Sequence, residues 1–186
     1  GEIYNRDELL QQLAGRGIRF RGHSDTEVLL EACAAFGVRA AVERMIGMFA
    51  FALWDKAEQV LYLVRDRLGI KPLYWGRFSG LFLFGSELKA LRAHPGWRPE
   101  INRDALVAYM RHNCIPAPLT IYNNVYKLPP GSILSLKRGK EPLIDRYWDM
   151  EAVARSGIRN QSALDVPETI NQLEKLMSDA VRCRMI

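Results

Sequence analysis

Met48-Phe49-Ala50-Phe51-Ala52-Leu53-Trp54 is an unbroken apolar run, and its pattern decides the fold. Successive side chains of a strand point to opposite faces, so a half-buried strand alternates apolar with polar residues. Here Phe49, Phe51 and Leu53 fall on one face and Met48, Ala50, Ala52 and Trp54 on the other, and neither face is polar. A sheet built on this strand needs cover on both sides, which implies a layered sandwich.

The neighbouring sequence supplies the other parts. Val60–Arg65, Leu73–Trp75 and Leu81–Phe84 read as strands, with turns at Asp55–Gln59, Leu68–Pro72 and Gly76–Gly80. Short connections favour antiparallel neighbours, so the four strands are expected as a meander. Two amphipathic helices precede them. Asn5 and Glu8 make a capping-box pair ahead of Leu9, Leu10 and Leu13, with Gly15 as the stop. Ser24 and Glu27 repeat that signature ahead of Leu29, Ala32, Cys33 and Phe36, with Gly37 as the stop.

Downstream, Glu87–His94 reads as a short helix stopped by Pro95, and Asn102 caps a longer one through about His112. Tyr126–Leu136 and Leu143–Trp148 read as two more strands, with Pro130-Gly131 as a turn pair. Met150–Asp165 is polar and uneven and is expected as a linker. Pro167 then opens a helix with Ile170, Leu173, Leu176, Met177, Ala180 and Val181 at helical spacing. It runs to Ile186 with no stop signal, so the chain is expected to be part of a longer protein. The expected class is α+β, antiparallel sheets between layers of helix.

Composition excludes several functions. The 186 residues are 48% hydrophobic and 25% charged, an ordinary globular balance. The net charge of +5 is scattered, and its densest groups (Arg65, Arg67, Lys71 and Lys137, Arg138, Lys140) lack the aromatic interleaving of a nucleic-acid surface. No apolar run reaches the roughly 20 residues that a membrane helix needs. Cys33, Cys114 and Cys183 stand far apart, in neither metal nor redox spacing, which fits reduced thiols in the cytoplasm. His23, His94 and His112 have no partner by spacing, and no phosphate-cradling glycine loop is present. Arg65, Asp66 and Arg67 read as a structural ion-pair cluster, and Ser86-Glu87 as helix-start chemistry.

Two stretches carry chemistry: Gly1–Asn5, ahead of the first helix, and Gly22–Glu27, at the start of the second. Asp25 falls at the first helical position, where the helix dipole favours an ionised carboxylate. By spacing alone it could equally serve only the helix terminus.

The same stretches resemble the glutamine-dependent asparagine synthetase family. Gly1–Asn5 is similar to the end of that family's Asn-Gly-Glu-(Ile/Leu)-Tyr-Asn element, and Gly22–Glu27 to its Gly-x-Ser-Asp-(Cys/Thr)-Glu element. Gly47–Asp55, Arg65–Trp75, Phe84–Leu91, Leu128–Ser132 and Arg146-Tyr147-Trp148 resemble further blocks in the same order. The resemblance implies a class II glutaminase with the N-terminal nucleophile hydrolase fold, an αββα sandwich. It divides the chain into a glutaminase domain over 1–149 lacking its N-terminal segment, a linker over 150–166, and the first helix of a synthetase domain over 167–186.

In that family an N-terminal cysteine attacks the glutamine side-chain amide, with its own α-amino group as base. The resemblance assigns Asp25 to the ammonium group of glutamine, Glu2 to the same pocket, and the backbone N–H of Gly1 to the oxyanion. The cysteine would lie upstream of Gly1, so this chain alone is expected to be inactive. ATP, Mg2+ and aspartate are expected with the remainder of the protein, and a homodimer is implied. Two other readings remain open: an amidotransferase or ATP-dependent amide ligase acting on another carboxylate, and a non-catalytic binding domain.

Overall fold

A computed structural model of the protein describes residues 1–78, 80–98, 100–160 and 164–185. The chain runs β1 (Glu2–Ile3), α1 (Arg6–Ala14), α2 (Asp25–Phe36), α3 (Val38–Arg44), β2 (Gly47–Met48), β3 (Ala50–Asp55), β4 (Val60–Arg65), β5 (Tyr74–Phe78) and β6 (Leu81–Gly85). It continues α4 (Leu88–Arg92), α5 (Arg103–His112), β7 (Val125–Lys127), β8 (Ser132–Lys137), β9 (Leu143–Arg146), α6 (Met150–Arg159) and α7 (Val166–Arg182).

The apolar run produces the expected layers. One antiparallel sheet has the order β3-β4-β8-β9 and a second the order β6-β5-β7, while β1 and β2 form a separate pair. On one face of the first sheet, Phe49, Phe51, Leu53, Val64 and Ile133 pack against Leu9 and Leu13 of α1, Val28 and Ala32 of α2, and Val42 of α3. On its other face, Ala50, Leu61, Leu63 and Leu134 meet Leu73, Trp75, Phe82 and Leu128 from the second sheet and its flanks. The far side of the second sheet is covered in turn, where Tyr74, Phe78, Leu83 and Val125 pack on Leu91 of α4 and on Trp97. Helix, sheet, sheet and helix therefore stack in four layers. Burying apolar side chains on both faces of both sheets is the main stabilisation this arrangement offers.

The expected meander is corrected. β3 and β4 are antiparallel neighbours, and so are β5 and β6, but the link from β4 to β5 crosses between the sheets. That link is held by charge on backbone. Asp66 is fully buried, and its carboxylate accepts the N–H groups of Ile70 and Lys71, each at 2.9 Å. The Arg65 guanidinium donates to the carbonyls of Gly69, Lys71 and Leu128 at 2.7–2.9 Å, and Arg67 donates to that of Glu43 at 2.9 Å. The expected ion-pair cluster is thus three side chains that each satisfy backbone groups.

Other boundaries shift for local reasons. The run 48–54 divides at Phe49, with β2 pairing to β1 and β3 to β4. Gly76, expected in a turn, lies inside β5, where a Cβ would sit 2.6 Å from the carbonyl oxygen of Asn124; part of the expected turn, Ser79, lies outside the described residues. Tyr126–Leu136 is two strands in different sheets, separated by Leu128–Gly131, with Gly131 at φ 61°. The expected strand Leu143–Trp148 ends at Arg146.

α3 has no counterpart in the sequence reading. Nor does α6, which occupies most of the expected linker and is capped by Asp149 accepting from the Ala152 N–H; residues 161–163 of that linker lie outside the described residues. α7 places Ile170, Leu173, Leu176, Met177 and Val181 on an exposed face and ends at Arg182, and Ile186 lies outside the described residues. Among the described residues no helix is long and apolar enough to cross a membrane.

Candidate functional site

Two glycines allow the strand pair at the centre of the site. Glu2 opposes Met48 and Ile3 opposes Gly47, and the Tyr4 N–H donates to the Ile46 carbonyl at 2.7 Å. A Cβ on Gly1 would sit 2.7 Å from the Met48 oxygen and 2.9 Å from the Phe49 Cα, and a Cβ on Gly47 would overlap the Glu2 carbonyl oxygen. Only glycine permits this approach of backbone to backbone.

Asn5 completes the clamp from the side. Its amide accepts from the Ile46 N–H at 2.8 Å and donates to the Arg44 carbonyl at 2.9 Å. The capping box expected at Asn5 and Glu8 is corrected accordingly: Asn5 makes no side-chain cap to its own helix and instead ties the α3–β2 turn to the start of α1.

Asp25 comes to the same place from α2. Ser24 is the N-cap, its hydroxyl accepting the Thr26 N–H at 3.1 Å, so Asp25 is the first helical residue as the sequence implied. Glu27 departs from a standard capping box: its carboxylate accepts the N–H groups of Arg21 at 2.7 Å and Gly22 at 2.8 Å. Those two backbone bonds hold its pKa below the ordinary value. The segment entering α2 is thereby fixed, and with it the direction of Asp25. One carboxylate oxygen of Asp25, Oδ2, accepts the Ile3 N–H at 2.9 Å. The other, Oδ1, lies 3.5 Å from the Nε of Arg6.

Gly1, Ile3 and Asp25 share a cavity of about 310 Å³ with Thr26, Leu29, Leu30 and the stretch 49–54. Consecutive residues of one strand can line a cavity only where it runs along the strand's edge, since their side chains alternate between faces. β3 is an edge strand, paired among the described residues with β4 alone. Every second residue of β3 therefore turns its N–H and C=O away from β4, a row of groups ready to pair with an extended chain. The cavity thus combines one anionic group, an apolar wall and free backbone polarity.

Of the sequence-predicted site residues, the structure brings Gly1 and Asp25 together and sets Glu2 apart. Glu2 is exposed and lies outside the cavity lining, because alternation along β1 sends Gly1 and Ile3 to the cavity side. Neither the cysteines nor the histidines line the cavity. Cys33 is buried in the helix layer, where burial raises its thiol pKa to about 11, and Cys114 is exposed. Glu87 stands at the start of α4 but makes no side-chain cap, pairing instead with Lys89 at 2.6 Å. No group of three or more His, Cys, Asp or Glu side chains able to hold a metal occurs among the described residues. Neither the Ile3 amide nor Arg6 was foreseeable as a partner of Asp25, since neither contact follows from spacing.

Comparison with known proteins adds relatives to this geometry. Residues 1–148 match the glutamine amidotransferase domain family. The chain is 34% identical over 188 residues to asparagine synthetase [glutamine-hydrolyzing] 3 of Bacillus subtilis, covering all of this chain and 29% of that protein. It is 41% identical over 148 residues to asparagine synthetase [glutamine-hydrolyzing] 1 of the same organism, covering 80% of this chain and 23% of that protein. The chain therefore spans less than a third of the length of either relative. Among solved structures, the glutamine phosphoribosylpyrophosphate amidotransferase of B. subtilis superimposes with a TM-score of 0.57 over 80% of this chain and 28% of its own, at 21% identity. That likeness shows a shared layered fold.

Proposed function

Because the chain belongs to the glutamine amidotransferase domain family, we propose that its cavity binds glutamine and that the whole protein hydrolyses it to glutamate and ammonia. The observation that carries this reading is the Asp25 carboxylate, fixed at the start of α2 and lining the same cavity as Gly1. An ionised carboxylate at a helix start suits an ammonium ligand, and Asp25 is assigned to that group. The methylene groups of the substrate would lie along the apolar wall of β3, with the side-chain amide toward Gly1.

The attacking thiol is assigned to a cysteine on a segment preceding Gly1. The thiolate adds to the amide carbon, the α-amino group of that cysteine takes and returns the proton, ammonia leaves, and water releases glutamate from the thioester. The peptide N–H of Gly1 would hold the negative oxygen of the tetrahedral intermediates. Glu2 is proposed as no more than a flank of the site, given its exposure.

The named relatives favour transfer of the ammonia to aspartate, giving asparagine. Aspartate, ATP and Mg2+ are assigned to the part of such a protein that this chain does not span. The same proposal includes a cytoplasmic homodimer.

The experiment is glutamine hydrolysis by the full-length protein with Asp25→Asn. Losing one charge-assisted contact of about 1.5–3 kcal/mol predicts a ten- to hundredfold fall in kcat/KM. An unchanged rate would remove Asp25 from the site.

A further inference from the structure

Asp25 does not meet its ligand alone, because a guanidinium stands behind it. Arg6 opens α1, and its Nε lies 3.5 Å from Oδ1 of Asp25, with the two side chains 23% and 35% exposed. This is longer than the 2.7–2.9 Å of a charge-assisted hydrogen bond. The Nε is buried and makes no hydrogen bond. The Nη1 of Arg6 donates instead to Asp7 at 3.0 Å, a carboxylate that is 85% exposed and so well screened. Arg6 thus brings charge to Asp25 without directing it.

We infer that Arg6 limits affinity: its charge beside Asp25 weakens the hold of the cavity on the ammonium group of its substrate. The inference rests on the reading of the cavity as a glutamine site. Two effects compete when Arg6 is removed. Orientation of the carboxylate could suffer, but Oδ2 keeps its 2.9 Å bond to the Ile3 N–H, which does not involve Arg6. Repulsion would fall, because an ammonium on Asp25 shares that carboxylate with a guanidinium only a few ångströms away. In a setting as enclosed as this, like charges so close interact more strongly than in water. The Ile3 bond keeps the carboxylate oriented without Arg6, whereas only the exposed Asp7 offsets the guanidinium charge, so the charge effect wins.

The cavity lining does not include Arg6, so substrate need not touch it.

The test is steady-state glutamine hydrolysis by the full-length protein carrying Arg6→Gln or Arg6→Lys. Arg6→Gln is expected to lower KM about tenfold while kcat holds, a change equivalent to about 1.4 kcal/mol. The inhibition constant of glutamate, which bears the same ammonium group, should fall in parallel. Arg6→Lys restores the positive charge and should return both constants toward wild type. A KM and inhibition constant that stay level or rise in Arg6→Gln overturn the inference, and if Asp25→Asn still lowers kcat/KM about ten- to hundredfold, the glutamine site itself survives. A wild-type protein that hydrolyses no glutamine overturns both together.

Discussion

Asp66→Asn tests the link that joins the two sheets without changing side-chain volume. The carboxylate of the fully buried Asp66 accepts two backbone N–H groups, from Ile70 and Lys71, each at 2.9 Å. Hydrogen bonds to a charged acceptor contribute about 1.5–3 kcal/mol each, so the pair contributes about 3–6 kcal/mol. An asparagine can keep one of them as a neutral bond worth about 1 kcal/mol, while its NH2 turns a donor toward the other N–H. The net loss is then about 3 kcal/mol. With a urea dependence of about 2 kcal/mol per molar, the unfolding midpoint should drop by about 1.5 M. Urea unfolding read by tryptophan fluorescence measures this, since Trp75 and Trp97 sit in the layers that Asp66 helps to align. Amide exchange at Ile70 and Lys71 should accelerate in parallel. A midpoint within about 0.3 M of wild type would show that water replaces the carboxylate, and the account of the crossing would fail.

Four further outcomes rest on the same packing and chemistry. Leu63→Ala, at a fully buried position between the two sheets, should cost about 2–5 kcal/mol in the same denaturation experiment. Gly47→Ala forces β2 away from the Glu2 carbonyl, so glutamine turnover by the full-length protein should fall more than global stability does. For Cys33, burial raises the folded pKa to about 11 from 9.0. The folded state therefore holds its proton where the unfolded state releases it, so this contribution is intact below pH 9 and is lost as pH climbs toward 11. A Cys33→Ala protein should lose less stability than wild type across that alkaline window. Iodoacetamide at pH 8 should label the exposed Cys114 and spare Cys33 until the protein is unfolded.

The layering was legible because it rests on a property of single residues. An apolar strand with no polar face requires cover on both sides, and Phe51 and Ala50 do face different layers. β4 was read to the residue, and α5 with its Asn102 cap as well, because β-branched runs and capping side chains are local signals. Strand order was not local. The link from Asp66 to Leu73 is short enough for a hairpin yet crosses between sheets, which only its buried hydrogen bonds explain. Gly76 looked like a turn residue, but it serves close approach to the Asn124 carbonyl, a requirement set by a strand distant in sequence. Met150–Asp165 looked like a linker because it is polar and uneven, and the apolar residues of α6, Met150, Val153 and Ile158, are exposed and not in the core. At the site, capping chemistry placed Asp25 at the first position of α2, while its assignment to a ligand came from the resemblance. Glu2 came only from the resemblance and lies outside the cavity lining, and Arg6 met Asp25 only through the fold.

A substrate that lacks only the ammonium group puts the central assignment to the test. Glutaramate is glutamine without its α-amino group, and the full-length protein should hydrolyse it with a kcat/KM at least about tenfold below that for glutamine, the share of a charge-assisted contact. In the Asp25→Asn protein the two substrates should become nearly equal, since the group that tells them apart is gone. The same preference for glutamine in both proteins would contradict the assignment, because the ammonium would then be held by something other than Asp25.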